Sequence, residues 1–337
     1  MIRSYAAQAW VFWLITIAAI TLVTRNPFYM LIVLLVARIV NSACATTDTG
    51  LKIHFWRLAF LIMIGSILFN LFMVRIGQTV LFTLPQNWWL VGGAKTLEAA
   101  VYGAISGLTL VTLLAIFLAF NAAVPVNELI RLTPRAMANV GLIVLIAVTY
   151  VPETISQLQR IREAQALRGH RLRGLRDWQP ILIPLLIGGL ERSMGLAESM
   201  VSRGYGSTVN IRQPVRIQFG LLIGLALTFV GWILTFRSGP FGWILLIVGM
   251  ALVVGLIIWS GRKVSHTRYR PTPLNNRDWL MISMTAMPLL IAFFPLPFVD
   301  KSTLFYTPYP EVTLPAFDVL LGLGLASLAA PAILLEL

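Results

Sequence analysis

The sequence predicts an all-α polytopic membrane protein, and three observations carry that prediction. Hydrophobic residues make up 58% of the chain and charged residues only 12%, against roughly 25% charged in an ordinary soluble domain. Mean hydropathy is +0.83. Apolar runs near 8–24, 28–43, 58–76, 101–121, 217–236, 241–260, 279–297 and 314–337 come close to the ~20 residues that a helix needs to cross a bilayer. About eight transmembrane helices are expected.

Taken in order, the first run has no small-residue cleavage site behind it and leads through Arg25-Asn-Pro27 straight into the second. It is therefore expected to stay as an anchor rather than be removed as a signal peptide. Gly65, Gly103 and Gly107 are candidates for close helix approach, with Gly103-x-x-x-Gly107 forming a small-residue packing face. The segment Leu84-Pro-Gln-Asn-Trp-Trp89 and the proline-rich stretch from Pro295 to Pro310 read as outer-face loops with aromatics at headgroup level. One cysteine, Cys44, excludes an internal disulfide and a cysteine-based zinc site. No metal site is expected.

The net charge is +13, and its placement fixes the expected topology. Ten arginines lie between Arg160 and Arg216, and Arg262, Lys263, Arg268, Arg270 and Arg277 form a second cluster. Both belong on the cytoplasmic side by the positive-inside rule. The further apolar runs 137–152 and 181–190 are short for spans, and treating both as non-spanning puts every basic cluster on one side. This gives a four-helix transmembrane part over 1–121, a cytoplasmic module over 122–215 between spans 4 and 5, and a carboxy-terminal transmembrane part over 216–337.

Within the module, Pro134 and Pro152 punctuate the chain. Ile155, Leu158, Ile161 and Ala164 form one apolar stripe, predicting an amphipathic helix from about 153 to 168 that Gly169 ends. Leu190, Met194, Ala197 and Val201 predict a second, from about Gly189 to Arg203, ended by Gly204. Both carry Glu-x-x-x-x-Arg-Gly, as Glu163 to Arg168-Gly169 and Glu198 to Arg203-Gly204, 35 residues apart. Arginine in a last turn and glycine just beyond it form an ordinary helix ending. Two features go further: the repetition, and the angle of about 140° between each glutamate and its arginine at 100° per residue. That angle rules out an intrahelical ion pair and leaves each guanidinium for an outside partner.

The stretches from Ser156 to Gly169 and from Glu191 to Gly206, with Val126-Asn-Glu128-Leu upstream, resemble the paired Ala-Arg-Gly-type motifs of the transmembrane (T) component of energy-coupling-factor (ECF) transporters. The likeness covers 120–210 best and the preceding spans more loosely. It implies that the two motif helices dock on two cytoplasmic ABC ATPases, and that the same chain holds a small membrane-embedded S component capturing a vitamin or a transition-metal ion. Carried over by position, Arg168, Gly169, Arg203 and Gly204, with Glu163 and Glu198, would meet the ATPases. Ile155, Leu158, Ile161, Met194, Ala197 and Val201 would form the platform for the S component. Leu167 and Ser202 stand where alanine is common in that family, and three apolar runs follow 217–236 where many relatives have little or nothing. The implied setting is a prokaryotic inner membrane.

Other functions have weaker support. A phosphate-binding loop requires Gly-x-x-x-x-Gly-Lys-Ser/Thr, and Ala94-Lys95-Thr96 lacks both glycines, having Trp89 and Ala94 there. ATP and magnesium would therefore be bound by partner ATPases, and no cofactor is expected on this chain. A conventional ABC importer permease is the nearest alternative: Glu163-Ala-Gln, Gly169 and Ile181-Leu-Ile-Pro184 echo its loop signature, but the second Arg-Gly helix argues against it. An intramembrane enzyme has little basis, because His54, His170 and His266 are scattered and Lys95, Glu98 and Glu128 read as span-end residues. Nucleic acid is not an expected partner, since positive-inside retention explains the basic loop.

Overall fold

A computed structural model describes residues 5–44, 54–85, 92–134, 137–170, 174–205, 215–238, 240–262, 274–294 and 299–336. Trp88, Trp89, Arg171, Arg173, Arg212, most of the second basic cluster and the prolines at 295 and 297 lie outside them. Two compact units emerge, residues 1–128 with 270–337, and residues 129–269.

In the first unit, α1 (Ala7–Val23), α2 (Pro27–Cys44), α3 (Phe55–Met73) and α4 (Leu97–Ala123) account for the first four expected runs. Helix α4 is central, packing on α1, α2 and α3. The glycine face predicted on it is real. A Cβ on Gly103 would stand 2.9 Å from both the Ile67 Cα and the Ser66 carbonyl oxygen, and one on Gly107 3.1 Å from Met63 Sδ. Ser66 Oγ donates to the Gly103 carbonyl at 2.8 Å. Gly65, by contrast, has nothing within 4 Å of a Cβ, so its expected role in packing is not realised. Accordingly Gly103→Val is expected to cost the 1–3 kcal/mol typical of overpacking or more, while Gly65→Val is neutral; melting curves of the two variants in detergent check this.

The expected loop between α3 and α4 contains an antiparallel pair, β1 (Val80–Leu84) and β2 (Gly93–Thr96). Val80 pairs with Thr96 and Phe82 with Lys95, with a bulge between Val80 and Phe82. Sequence reading missed this hairpin because its pairing is non-local.

The carboxy-terminal residues complete the same unit. Helix α10 (Asn276–Phe293) opens with a capping box made by Asn275 and Asp278, and Asp278 Oδ1 also accepts from the Ala6 amide at 2.9 Å. The last apolar run does not form one long helix. It breaks into α11 (Val319–Ala326), a 3₁₀ turn (Ser327–Ala329) and α12 (Ala330–Glu336), with Pro331 in the first turn of α12, where proline's missing N–H costs nothing. No single piece reaches ~20 residues. Residues from this carboxy-terminal part supply partners to α1, α2 and the connection between them: the Trp13 indole donates to the carbonyl of Leu328 in the 3₁₀ turn at 3.0 Å, and Asn26 Nδ2 donates to the Thr303 and Ala316 carbonyls, which precede α11, at 2.8 and 2.7 Å. Tyr29 Oη lies 3.0 Å from Thr303 Oγ1 and accepts from the Asp318 amide at 2.7 Å. Trp13, Asn26 and Tyr29 are all fully buried.

The second unit holds α6 (Ala138–Leu167), α7 (Gln179–Ser202), α8 (Val215–Ser238) and α9 (Pro240–Arg262); the short α5 (Val126–Arg131) leads into it. Two expectations are corrected here. The run 137–152 and the helix expected from 153 form one helix that passes through Pro152, and the run 181–190 and the helix expected from about 189 are likewise one helix, Gln179–Ser202, with Pro184 inside it. A proline inside a helix removes one backbone bond. Around Pro152 the hydroxyls of Thr149, Thr154 and Ser156 each donate to a carbonyl three or four residues back, Pro152's own among them. Such back-bonding accompanies bends and supports the chain where the ladder is interrupted.

Seven helices among the described residues are long and apolar enough to cross a membrane, namely α2, α3, α4, α6, α7, α8 and α9. The all-α polytopic membrane fold predicted from composition is the fold observed. Helices α8 and α9 pack together closely, Gly249 lying where a Cβ would stand 2.6 Å from the Thr228 amide nitrogen.

Candidate functional site

The two Arg-Gly segments end α6 and α7 in the same way. Arg168 is the C-cap of α6 with φ −79°, and Gly169 follows at φ +81°. The Gly169 amide donates to the Ala166 carbonyl at 3.0 Å and the His170 amide to the Gln165 carbonyl at 3.0 Å. Arg203 caps α7 at φ −85°, Gly204 again takes φ +81°, and the Gly204 and Tyr205 amides donate to Val201 and Met200, each at 2.9 Å. Both ends are Schellman motifs, in which a left-handed residue lets the chain fold back onto its own last turn. Glycine is the residue that takes this conformation without a Cβ clash.

This geometry leaves the arginines outside. Arg168, Gly169, Arg203 and Gly204 are exposed, as are Glu163 and Glu198. The ion pairs among the described residues join Glu153 to Arg160 at 3.0 Å and to Arg192 at 3.8 Å; neither motif glutamate pairs with its own arginine, as the 140° angle requires. Of the apolar platform, Ile155, Met194 and Val201 are 50, 53 and 71% exposed. Ala197 is also exposed, and Leu158 and Ile161 are half-buried.

How α6 meets α7 was not foreseen from the sequence. Gln157 Oε1 accepts from Arg192 at 2.8 Å, the Gln157 amide sits against Gly188 where a Cβ would stand, and Arg192 reaches Glu153. Gln165 Nε2 donates to the Pro180 carbonyl at 3.3 Å, so the helices run antiparallel. The 35-residue offset that relates the motifs also relates Gln157 to Arg192 and Glu153 to Gly188. Exchanging counterparts turns the Glu153–Arg192 contact into the Gln157–Gly188 contact and leaves Gln157–Arg192 unchanged. These three contacts are therefore related to one another by a two-fold exchange of the 35-residue counterparts. From the Gln157–Arg192 contact each motif arginine lies eleven residues away, roughly 16 Å along its helix at 1.5 Å per residue, and the two lie in opposite directions.

The described residues of the connection between the helices are tied by hydrogen bonds. His170 Nε2 is 2.7 Å from the Asp177 carbonyl oxygen, and the Gly174 amide donates to Asp177 Oδ2 at 2.9 Å, just before the 3₁₀ turn Leu175–Trp178 that starts α7. Sequence reasoning did not foresee the contacts of Gln157, Gly188, Arg192 and His170. The signal for the first three was available: extending the 35-residue comparison backward from the motifs brings Gln157 and Arg192 into register. Among the described residues no three His, Cys, Asp or Glu side chains gather as a metal site.

Fold and site together define a multi-pass helical membrane protein with a pair of helices whose contacts are related by a two-fold exchange, each helix ended by an exposed Arg-Gly. Residues 2–215 match the family profile described as CbiQ, cobalt transport protein. The chain belongs to the CbiQ family. It is also similar, at 30% identity over 107 residues, to the energy-coupling factor transporter transmembrane protein EcfT of Leuconostoc gelidum subsp. gasicomitatum. That alignment covers 28% of this chain and 40% of the relative, so the chain matches less than half of that protein's length. Helices α9 to α12 and nearly all of α8 lie beyond the family match.

Proposed function

We propose that this chain is the transmembrane coupling subunit of an ECF-type importer in a prokaryotic cell membrane. Arg168-Gly169 and Arg203-Gly204, with Glu163 and Glu198, engage two cytoplasmic ABC ATPases that bind and hydrolyse ATP with magnesium. Ile155, Leu158, Ile161, Met194, Ala197 and Val201 support a small membrane-embedded S component, and the cargo is a transition-metal ion or a vitamin. The family's description makes a cobalt-class ion the first cargo to assay. The observation that carries this reading is the two-fold relation among the contacts of α6 with α7. Two equivalent arginines on equal arms fit a pair of like partners, and an exposed guanidinium fork suits carboxylates and carbonyls on them.

The same observation bears on topology. If antiparallel α6 and α7 both crossed the membrane, their arginine ends would emerge on opposite faces. Only with the pair along the cytoplasmic surface do both reach the same compartment. The charged half of α6, with exposed Glu153, Arg160, Arg162 and Glu163, favours that placement, since charges at bilayer depth are costly.

Native-level tagging of the chain, extraction in mild detergent and mass spectrometry of what co-purifies tests the proposal. Two phosphate-loop ATPase chains with a small, very apolar membrane protein are expected. ATPases with a soluble or lipid-anchored binding protein would point to a conventional importer, and recovery of neither would reduce the arginines to helix caps.

A further inference from the structure

The β1–β2 hairpin has an unusual surface for a connection that the sequence reads as an outer-face loop. Val80, Leu81 and Phe82 are consecutive, and they are 51, 51 and 43% exposed. A bulge interrupts the alternation between Val80 and Phe82, but Phe82 and Thr83 pair in regular register with Lys95 and Ala94, successive strand side chains alternate between faces, and both residues are exposed, so the strand is uncovered on both faces. A protein docking on one face, or adding a strand at the free edge, would account for only part of this. A surrounding apolar medium accounts for all of it.

The exposed strand also continues an exposed apolar surface of α3. Leu68, Phe69 and Met73 are 45, 64 and 46% exposed on a helix long and apolar enough to cross the membrane, and Ile76, three residues past the helix end and next to the exposed Arg75, is 65% exposed. An exposed apolar helix surface of this kind suits contact with lipid in a multi-pass protein, and between Met73 and β1 the chain carries Arg75 and Gly77-Gln-Thr as its polar residues. One constraint sets the depth. The edge of β1 that does not pair with β2 keeps backbone N–H and C=O groups that need water, and lipid-exposed sheet edges do not occur within the hydrocarbon.

The base of the hairpin is braced by buried polar groups. Glu98 and Lys95 are both fully buried. Glu98 Oε1 accepts from the Gln78 and Thr79 amides at 3.2 and 2.9 Å, and Thr96 Oγ1 donates to the Ile76 carbonyl at 2.8 Å. Lys95 Nζ donates to the Phe72 carbonyl at 2.6 Å, capping the end of α3. Desolvation, with the Arg75 charge as second cause, holds the Lys95 pKa below its ordinary value. Gly77, at φ +138°, packs against Glu98 Oε2 where no side chain would fit. The hairpin therefore has a fixed attachment to α3 and α4, and its apolar exposure is not the chance state of a loose loop.

We infer that the β1–β2 hairpin is seated in the headgroup–acyl boundary of the bilayer, with Val80, Leu81 and Phe82 against lipid and the Lys95–Glu98 brace holding it at the end of α3 and α4. The test uses the full-length chain, with Cys44→Ala, in phosphatidylcholine–phosphatidylglycerol vesicles. A nitroxide is attached at Phe82→Cys in one variant and at Leu81→Cys in another. Collision with oxygen, which partitions into lipid, is compared with collision with a water-soluble nickel chelate. Both labels are expected to collide with oxygen more than with the chelate, at a shallow depth. Greater collision with the chelate at either position would place the hairpin in water. Exclusion of both reagents at either position would mean that protein covers it. Either of these results overturns the inference. Both residues are exposed, so neither substitution opens the core, and two sites guard against failure of one variant.

Discussion

Replacing Arg168 and Arg203 together with alanine is expected to abolish ATP-driven uptake and release the ATPases, while the chain still inserts and purifies as a single species. Both side chains are exposed and outside the packed core, so their removal leaves α6 and α7 intact. Their Schellman closures use backbone groups only. A hydrogen bond to a charged group contributes about 1.5–3 kcal/mol, so losing one such contact from each arginine amounts to about 3–6 kcal/mol. At 1.4 kcal/mol per decade that is roughly a 10²- to 10⁴-fold loss of affinity. Co-purification and transport in vesicles read the effect. Each single variant should lose part of the ATPase binding, in similar measure, because the two arms are equivalent. Undiminished uptake by the double variant would remove the arginines from the coupling role.

Truncation after residue 269 is expected to have the largest effect on the folded state. The shortened chain keeps every residue of the family match and the α8–α9 pair. It loses the carbonyls that satisfy the Trp13 indole and the Asn26 amide, and the Thr303 and Asp318 groups around Tyr29. An orphaned buried polar group costs about 1–3 kcal/mol, so three residues together approach about 3–9 kcal/mol, comparable with the whole stability of many domains. The exposed core face of α1 and α2 adds to that loss. Size-exclusion profiles of the truncated protein in detergent should show aggregation in place of a monodisperse peak. A monodisperse species with unchanged melting temperature would show that α10 to α12 are dispensable.

What was legible in the sequence follows the range of the interactions involved. Membrane class, the first four helices and the Gly103–Gly107 face are local or compositional properties, and they appear in the structure. The Arg-Gly helix ends were also readable, because capping depends on a few adjacent residues. Pro152 misled: it looked like a boundary, yet neighbouring turns and side-chain hydroxyls carry the helix through. The run at 314–337 looked long enough to span, but local breaks and contacts with Trp13, Asn26 and Tyr29 determine its path. Lys95 and Glu98 looked like span-end charges because the strand pairing and chain reversal that bury them cannot be inferred from spacing. The α6–α7 contact lay between these cases, since its partners share the motif offset but their meeting is a tertiary fact.

The self-matching contact at Gln157 and Arg192 has a mechanical consequence. Arg168 and Arg203 end separate helices, each eleven residues beyond the shared contact. In the coupling role proposed above, forces applied at the two arginines would therefore act on that contact through equal lengths of helix, roughly 16 Å each at 1.5 Å per residue.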